Sequence, residues 1–235
     1  MPYRRLPNTD NMRRKSLNQA VEEDSKLPFN ERVISMETME IARSFLPVFE
    51  KAEKEYKSTF QIQVQANKSF QELLKNAKIY ISHFIQVLNL CIIRKEIKAE
   101  QKELYNLDVN SYSVPEMLSD ASILLWGEKI INGEKKRVSN GGSPIYNPPI
   151  AKVQVHYDLF KTAYYQQKIR QKNTTRTLEN LSSLRIKADE IIYDIWNQVE
   201  EKYNNLNLSE RLENCMRYGI VYYYRKNEKK QDEIN

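Results

Sequence analysis

Glycine is scarce in this chain, and its scarcity limits how often the backbone can turn sharply. Only 5 of the 235 residues are Gly, whereas roughly 7% is usual in proteins. No Gly or Pro occurs between Pro47 and Pro115. Because these two residues most often form tight turns and terminate helices, their absence over such an interval favours long helices. The sequence therefore predicts an all-α protein.

The first half of the chain has the apolar spacing of amphipathic helices. From Ser35 to about residue 104, apolar residues recur at steps of three and four, which places them on one helix face. Pro47 predicts a kink or a nearby helix start. Asn67 could cap a helix C-terminus, and Ser69 with Glu72 has the spacing of a capping box. These signals predict a helical hairpin with its turn at Asn67–Lys68, and one continuous helix is the alternative. The apolar positions are Met39, Ala42, Leu46, Phe49, Tyr56, Phe60, Leu74, Ala77, Ile81, Phe84, Ile85, Leu88, Cys91 and Ile92.

The second half repeats this pattern. A helix is predicted from Val153, with a break at residues 173–177 and a second helix after it. Seven of its apolar positions lie 107 residues after matching positions of the first half: Leu181, Leu184, Ala188, Ile191, Ile192, Ile195 and Val199. Either duplication of a helical hairpin or the apolar spacing that all bundle helices share accounts for this match. Two hairpins would bury their seams against each other as a four-helix bundle.

The remaining segments are predicted to be short. Ser113 and Glu116 have capping-box spacing before an apolar run, with Pro115 in the first turn, and a Gly- and Pro-rich loop follows. We expect Ile220–Tyr224 to be extended, with alternate tyrosines facing opposite ways. Its predicted partner is 144–146 or 153–155, and a basic tail follows. The predicted organisation is one helical domain, 1–235, divided into 1–34 (arm and short helix), 35–104 (first hairpin), 105–152 (connector with helix 115–132 and the loop), 153–207 (second hairpin) and 208–235 (short helix, extended segment and tail).

Several segments resemble a family of uncharacterised bacterial proteins. They are RRLPNTD, NAKIYISHFIQVLNL, GGSPIYNPPIAKVQVHYD, KADEIIYDIWNQVEE and YGIVYYYRK, which together extend over almost the whole chain. The resemblance implies a single full-length helical unit in a bacterial cytoplasm. It implies no activity and no functional residues.

Composition indicates a cytoplasmic protein with no membrane partner. The longest apolar run without a charged residue, Ile79 to Ile93, spans 15 residues, fewer than the roughly 20 that a membrane span needs. The first residues lack the apolar core of a signal peptide. Two cysteines, Cys91 and Cys215, do not make a disulfide framework.

The sequence offers little material for catalysis or metal binding. Cys91 lies eight residues from His83, about two helical turns away, which is too far for a nucleophile–base pair. His156 and Asp158 are too few ligands for a metal ion. Neither histidine has Glu three residues before it, as carboxylate di-iron sites require. We predict no catalytic residue, no metal and no cofactor.

A basic stripe is the most specific signal for a ligand. Residues 160–178 contain five basic residues and no acidic one, and steps of four, three, four and four put one aromatic and four basic residues on a single helix face. The stripe consists of Lys161, Tyr165, Lys168, Lys172 and Arg176. Positive charge around an exposed ring suits a nucleic-acid backbone and its bases, and a solvated outer face is the simpler interpretation.

We therefore predict a non-enzymatic structural or protein-interaction role, with an unknown partner or self-association. The first alternative is a nucleic-acid-binding protein that uses the stripe 161–176. The second is an enzyme or small-ligand binder with a site at the loop 138–150.

Overall fold

The computed structural model describes residues 2–224 and confirms the all-α class. It contains five α-helices and two short 3-10 helices, Phe29–Glu31 and Ala99–Tyr105. The α-helices are α1 (Asp10–Ser25), α2 (Met36–Ile93), α3 (Asp120–Ser139), α4 (Ile150–Lys202) and α5 (Leu208–Arg217). Two short strands, β1 (Tyr3–Arg4) and β2 (Tyr222–Tyr223), complete the regular structure of this part of the chain.

The chain forms two compact units, each with its own hydrophobic core. Unit 1 consists of residues 1–59 and 174–235, and unit 2 of residues 60–173. The long helices α2 and α4 each contribute one part to unit 1 and another part to unit 2. That all 235 residues act as one domain stays a prediction.

The predicted hairpin turns are wrong, because α2 and α4 continue through both proposed breaks. At the first break, Asn67–Lys68, no Gly or Pro interrupts the backbone, and Phe70 is buried in the core one turn later. At the second, Thr174 is buried, and the Thr177 hydroxyl donates to the Thr174 carbonyl at 3.0 Å. Hydroxyl groups that favour turns can satisfy themselves inside a helix in this way. The alternative of a continuous helix is therefore the correct one at Asn67.

The first two helices begin at residues whose side chains cap them. The Thr9 hydroxyl accepts the Met12 backbone N–H at 3.3 Å, and the Ser35 hydroxyl accepts that of Thr38 at 3.2 Å. Such caps satisfy amide groups that have no carbonyl partner within the helix. After Ile93, α2 ends in a turn in which Lys95 has a φ of +62°.

Both predicted bounds of the middle helix, 115–132, are wrong. The capping box is formed by Ser119 and Ser122. The Ser119 hydroxyl accepts the Ser122 backbone N–H at 3.2 Å, the Ser122 hydroxyl accepts that of Ser119 at 3.1 Å, and α3 starts at Asp120. The Ser113 hydroxyl instead lies 2.8 Å from that of Ser111. Gly133 does not stop the helix. It makes room for the ring of Tyr105, since a Cβ there would lie 2.4 Å from the ring atom Cδ1.

The strand prediction is correct in its alternation and wrong in its partner. Tyr222 and Tyr224 are half-buried and Tyr223 is exposed, as expected. β2 pairs antiparallel with β1, so that Tyr223 faces Tyr3. Residues 153–155, one of the proposed partners, are helical. The predicted basic tail, 225–230, lies outside the described residues.

Unit 1 is held by a core of α1, α2, α4 and α5 and by charged pairs at its edge. Trp196 of α4 and Phe49 of α2 are fully buried in that core. The Arg13 guanidinium donates two hydrogen bonds to Asp189, at 2.8 and 2.9 Å. Arg185 makes the same two-bond contact with Asp10, at 2.7 Å each. These pairs connect residues about 175 positions apart, so they fix α1 against α4.

Unit 2 contains a buried charged cluster at the end of α3. Arg137 donates to both carboxylate oxygens of Glu134 at 2.8 Å, and the Tyr105 hydroxyl donates to the same carboxylate. The backbone N–H of Ile145 also donates to Glu134, at 3.1 Å. All three side chains are almost completely buried, and the hydrogen bond to Glu134 raises the pKa of Arg137. The cluster therefore attaches the loop after α3 to the helix.

By length and composition alone, α2 also contains a window apolar enough to cross a membrane. One face of that part of α2, including Ile81, Phe84 and Leu88, is buried in the core of unit 2. A core helix passes the same test, and the prediction of no membrane partner stays a prediction.

Substitution of Asn67 tests the continuity of α2. In a helix interior, Asn67→Ala should stabilise the protein and Asn67→Gly should destabilise it. The free energy of unfolding should be about 1 kcal/mol higher for the Ala variant than for the Gly variant. Urea unfolding measures the difference. A left-handed turn at this position would reverse the order, because Gly is favoured there.

Substitution of Arg137 tests the buried cluster. Arg137→Met leaves the Glu134 carboxylate buried without its charged partner and should lower the free energy of unfolding by about 3–5 kcal/mol. The exposed pair Arg217–Glu213 has the same 2.8 Å separation and is the matched control. Arg217→Met should cost about 0–1 kcal/mol. Equal losses in urea unfolding would contradict the role assigned to the cluster.

Candidate nucleic-acid interface

The basic stripe lies on one uninterrupted helix, α4. Tyr165 is 54% exposed, Lys168, Lys172 and Arg176 are exposed, and Lys161 is half-buried. Unit 2 contains Lys161, Tyr165, Lys168 and Lys172, whereas Arg176 belongs to unit 1. We therefore restrict the candidate site to the four residues of unit 2. At 1.5 Å per residue, Lys161 to Lys172 spans about 16 Å along the helix axis.

Two of the lysines lie over aromatic rings of their own helix. The Lys161 ammonium is 5.7 Å from the ring centroid of Tyr157, and the Lys168 ammonium is 5.4 Å from that of Tyr164. Such contacts attract a cation to the ring face without neutralising its charge. Burial raises the pKa of Tyr157 to about 12, so its ring carries no negative charge near neutral pH.

Tyr165 is positioned by the aromatic residues beneath it. Its ring meets that of Tyr164 edge-on, with centroids 5.4 Å apart and planes inclined by 74°. Tyr164 contacts Phe160, which in turn contacts Phe70 of α2 at a centroid distance of 5.9 Å. The exposed ring therefore stands on a column of aromatic side chains that reaches the core of unit 2.

The net positive charge of the chain is confined to unit 2. Residues 60–173 contain 16 Lys and Arg and 10 Asp and Glu, which gives a net charge of +6. The whole chain has 37 and 31, so unit 1 keeps 21 of each and is neutral. Within unit 2, neither residues 60–71 of α2 nor residues 159–173 of α4 contain an acidic residue. The contact between Phe70 and Phe160 brings these two acid-free stretches together.

The acid-free stretch of α2 is the part of this surface that the sequence analysis missed. It contributes the exposed Lys68 and the exposed apolar residues Ile62 and Val64. The signal was the absence of any acidic residue between Glu55 and Glu72. It was overlooked because the segment was interpreted as the turn of a hairpin.

The histidines lie elsewhere in unit 2. His83 is exposed on α2, and His156 stacks on Tyr80 with ring centroids 4.0 Å apart and planes inclined by 8°. Cys91 is half-buried, and burial raises the pKa of its thiol. Within residues 2–224, no group of three or more His, Cys, Asp or Glu side chains is arranged to hold a metal ion.

The loop 138–150 is packed against α3. Arg137 donates to the Ser143 carbonyl at 2.7 Å, and the Ile145 side chain is buried. A Cβ on Gly142 would lie 2.8 Å from the Arg137 carbonyl oxygen, so the backbone approaches α3 closely there. The charged groups that this loop meets are therefore already paired with one another or with the loop backbone.

Comparison of the chain with protein-family models, with curated proteins and with solved structures finds no significant match. The resemblance to a bacterial family stays a prediction.

Proposed function

We propose that the protein is a non-enzymatic binding protein and that unit 2 holds a nucleic acid. The observation that carries this proposal is the confinement of the net charge of +6 to unit 2, where two acid-free helix stretches meet. Phosphate groups are the ligands that such a surface favours, since neutralising them releases bound counterions. The resemblance of the chain to bacterial proteins supports a cytoplasmic setting.

Within this surface, the lysines and the tyrosine have separate roles. Lys168 and Lys172 are exposed and form no ion pair with an acidic residue of the described chain. They contact phosphates, and the rings beneath Lys161 and Lys168 hold those side chains near the helix. Tyr165 offers a ring face to an unpaired base, because base–aromatic stacking needs no particular base. These roles favour single-stranded DNA or RNA over a closed duplex.

Binding of a labelled single-stranded oligonucleotide, followed by fluorescence anisotropy across a salt series, tests the proposal. Lys168→Gln with Lys172→Gln should weaken binding and lower the slope of log K against log salt by about 0.7 per lysine. The matched control is Lys135→Gln with Lys136→Gln, which removes the same charge from an exposed part of α3 in unit 2. If both pairs of substitutions weakened binding equally, the stripe would not be the site.

Tyr165→Ala separates stacking from charge. It should weaken binding by about 5- to 150-fold, the range expected for loss of one base–aromatic stack, and leave the salt slope unchanged. Tyr146→Ala removes a tyrosine that is 81% exposed in the same unit and should have no effect. No change of anisotropy with wild-type protein at low salt would exclude nucleic-acid binding.

A structural or protein-interaction role is the second candidate, favoured by an apolar face on α2. Ile79, Leu90 and Ile93 are 47–58% exposed and lie within 60° of one another around the helix axis. Apolar residues repeated on one exposed face are typical of helix–helix contacts. Self-association through this face is the form of the role that can be tested on the protein alone.

Sedimentation velocity measures that self-association. If the face mediates it, Ile79→Glu with Leu90→Glu should reduce the wild-type assembly to the monomer mass of 27.9 kDa. Ile186→Glu, at a position of α4 in unit 1 that is 64% exposed, is the control and should leave the assembly intact. A wild-type protein that is monomeric at all concentrations would contradict self-association.

A further inference from the structure

A cavity of about 420 Å³ lies entirely within unit 1. It is formed by residues 5–8, by the first turns of α1, by Met216 and by residues 219–222, the last of which is the first residue of β2. Its volume is within the range of small-molecule sites, roughly 300–1,000 Å³. Most of its wall is apolar and comes from side chains that are partly exposed: Leu6, Met12, Met216 and Val221.

The charged side chains of the cavity are both basic. Arg5 and Lys15 are exposed, and neither forms an ion pair with a described residue. No lining residue is acidic. Their long side chains can cover an apolar body and bring their charge to a ligand group. The cavity is therefore complementary to a single negative charge attached to an apolar molecule.

Ser16 provides an unused hydrogen-bonding group in the wall. The residue is only 6% exposed, and its hydroxyl has no hydrogen-bond partner within the described chain. It lines the cavity together with Gly219, whose φ of +82° is a conformation that Gly favours. A Cβ at position 219 would lie 3.3 Å from the Ser16 hydroxyl, so Gly219 packs directly against that buried hydroxyl. A buried hydroxyl without a hydrogen-bond partner lowers the stability of the protein, and a ligand group that accepts its hydrogen bond would remove this cost.

We propose that this cavity binds a monocarboxylate with an unbranched alkyl chain. The Ser16 hydroxyl donates to the carboxylate, and Arg5 and Lys15 compensate its charge. The alkyl chain packs on Leu6, Met12, Met216 and Val221 and removes their exposed surface from water. The site belongs to unit 1 and is independent of the nucleic-acid surface proposed for unit 2.

Isothermal titration calorimetry with octanoate, hexanoate and octanedioate tests the chemistry of the ligand. Octanoate should bind roughly tenfold more tightly than hexanoate, because two further methylene groups become buried. Octanedioate has the same chain length with a second carboxylate among apolar side chains, and it should bind more weakly than octanoate. Octanol should also bind more weakly. Undetectable octanoate binding, or equal binding of octanol, would overturn the proposal.

Two variants and one control locate the binding in the cavity. Ser16→Ala should weaken octanoate binding at least fivefold without lowering the melting temperature, since the hydroxyl has no partner to lose. Arg5→Gln with Lys15→Gln should weaken it at least tenfold. Lys51→Gln with Lys54→Gln removes the same charge from an exposed part of α2 in unit 1 and is the control.

The controls determine which outcome counts against the site. Octanoate binding that falls equally with the control pair would indicate a general charge effect and refute the site. Unchanged affinity in Ser16→Ala would exclude the assigned hydrogen bond, and unchanged affinity both there and in Arg5→Gln with Lys15→Gln would exclude the cavity itself.

Discussion

The need to cover the apolar faces of α2 and α4 determines the rest of the structure. Each helix has more than 50 residues and carries buried residues through much of its length. Two long helices alone cannot bury such faces. The apolar face of each is wide enough to contact two neighbouring helices, so each needs a second helix packed against it. In unit 1 that partner is supplied by α1 and α5, and in unit 2 by α3 with the 3-10 helix before it. The loops and strands follow from where these short elements must begin and end.

The need to cover these apolar faces also explains why charged groups are fully buried at the end of α3 but only partly buried in unit 1. The end of α3 must hold the returning chain close to the core, and the cluster of Glu134, Arg137 and Tyr105 does so with side chains that face inward. In unit 1 the corresponding attachments, Arg13–Asp189 and Arg185–Asp10, are only partly buried. Burying a charged pair costs desolvation free energy that only well-placed hydrogen bonds offset. The cluster in unit 2 is the more deeply buried of the two, so its stability depends more strongly on exact hydrogen-bond geometry.

Sequence periodicity predicted the helices and their buried faces, because apolar spacing depends only on helix geometry. The predicted positions from Ala77 to Ile92 are buried except Cys91, which is half-buried, and those from Leu181 to Val199 are buried except Leu184 and Ile191, which are half-buried. The errors occurred at residue types that are common in turns but can also be accommodated inside a helix. Asn67, Thr174 and Gly133 are turn-forming types that here lie inside helices. The features that keep them helical are the buried Phe70, the hydrogen bond from Thr177 to the Thr174 carbonyl and the ring of Tyr105. The basic stripe was found from spacing alone, whereas its aromatic support and the acid-free stretch of α2 required the three-dimensional contacts.

The division of the chain into a continuous unit 2 and a discontinuous unit 1 has a consequence for synthesis on the ribosome. Residues 60–173 emerge as one stretch and contain every residue of their own core. Unit 1 needs Arg4 beside Glu200 and Tyr3 beside Tyr223, contacts that span about 200 residues or more and exist only when the chain up to Tyr223 has left the exit tunnel. Contacts between distant residues also close slowly, since a long loop must be ordered first. The basic unit is therefore expected to fold first, while the neutral unit cannot fold until α5 and β2 have been synthesised, and the apolar residues of α1 stay uncovered until then.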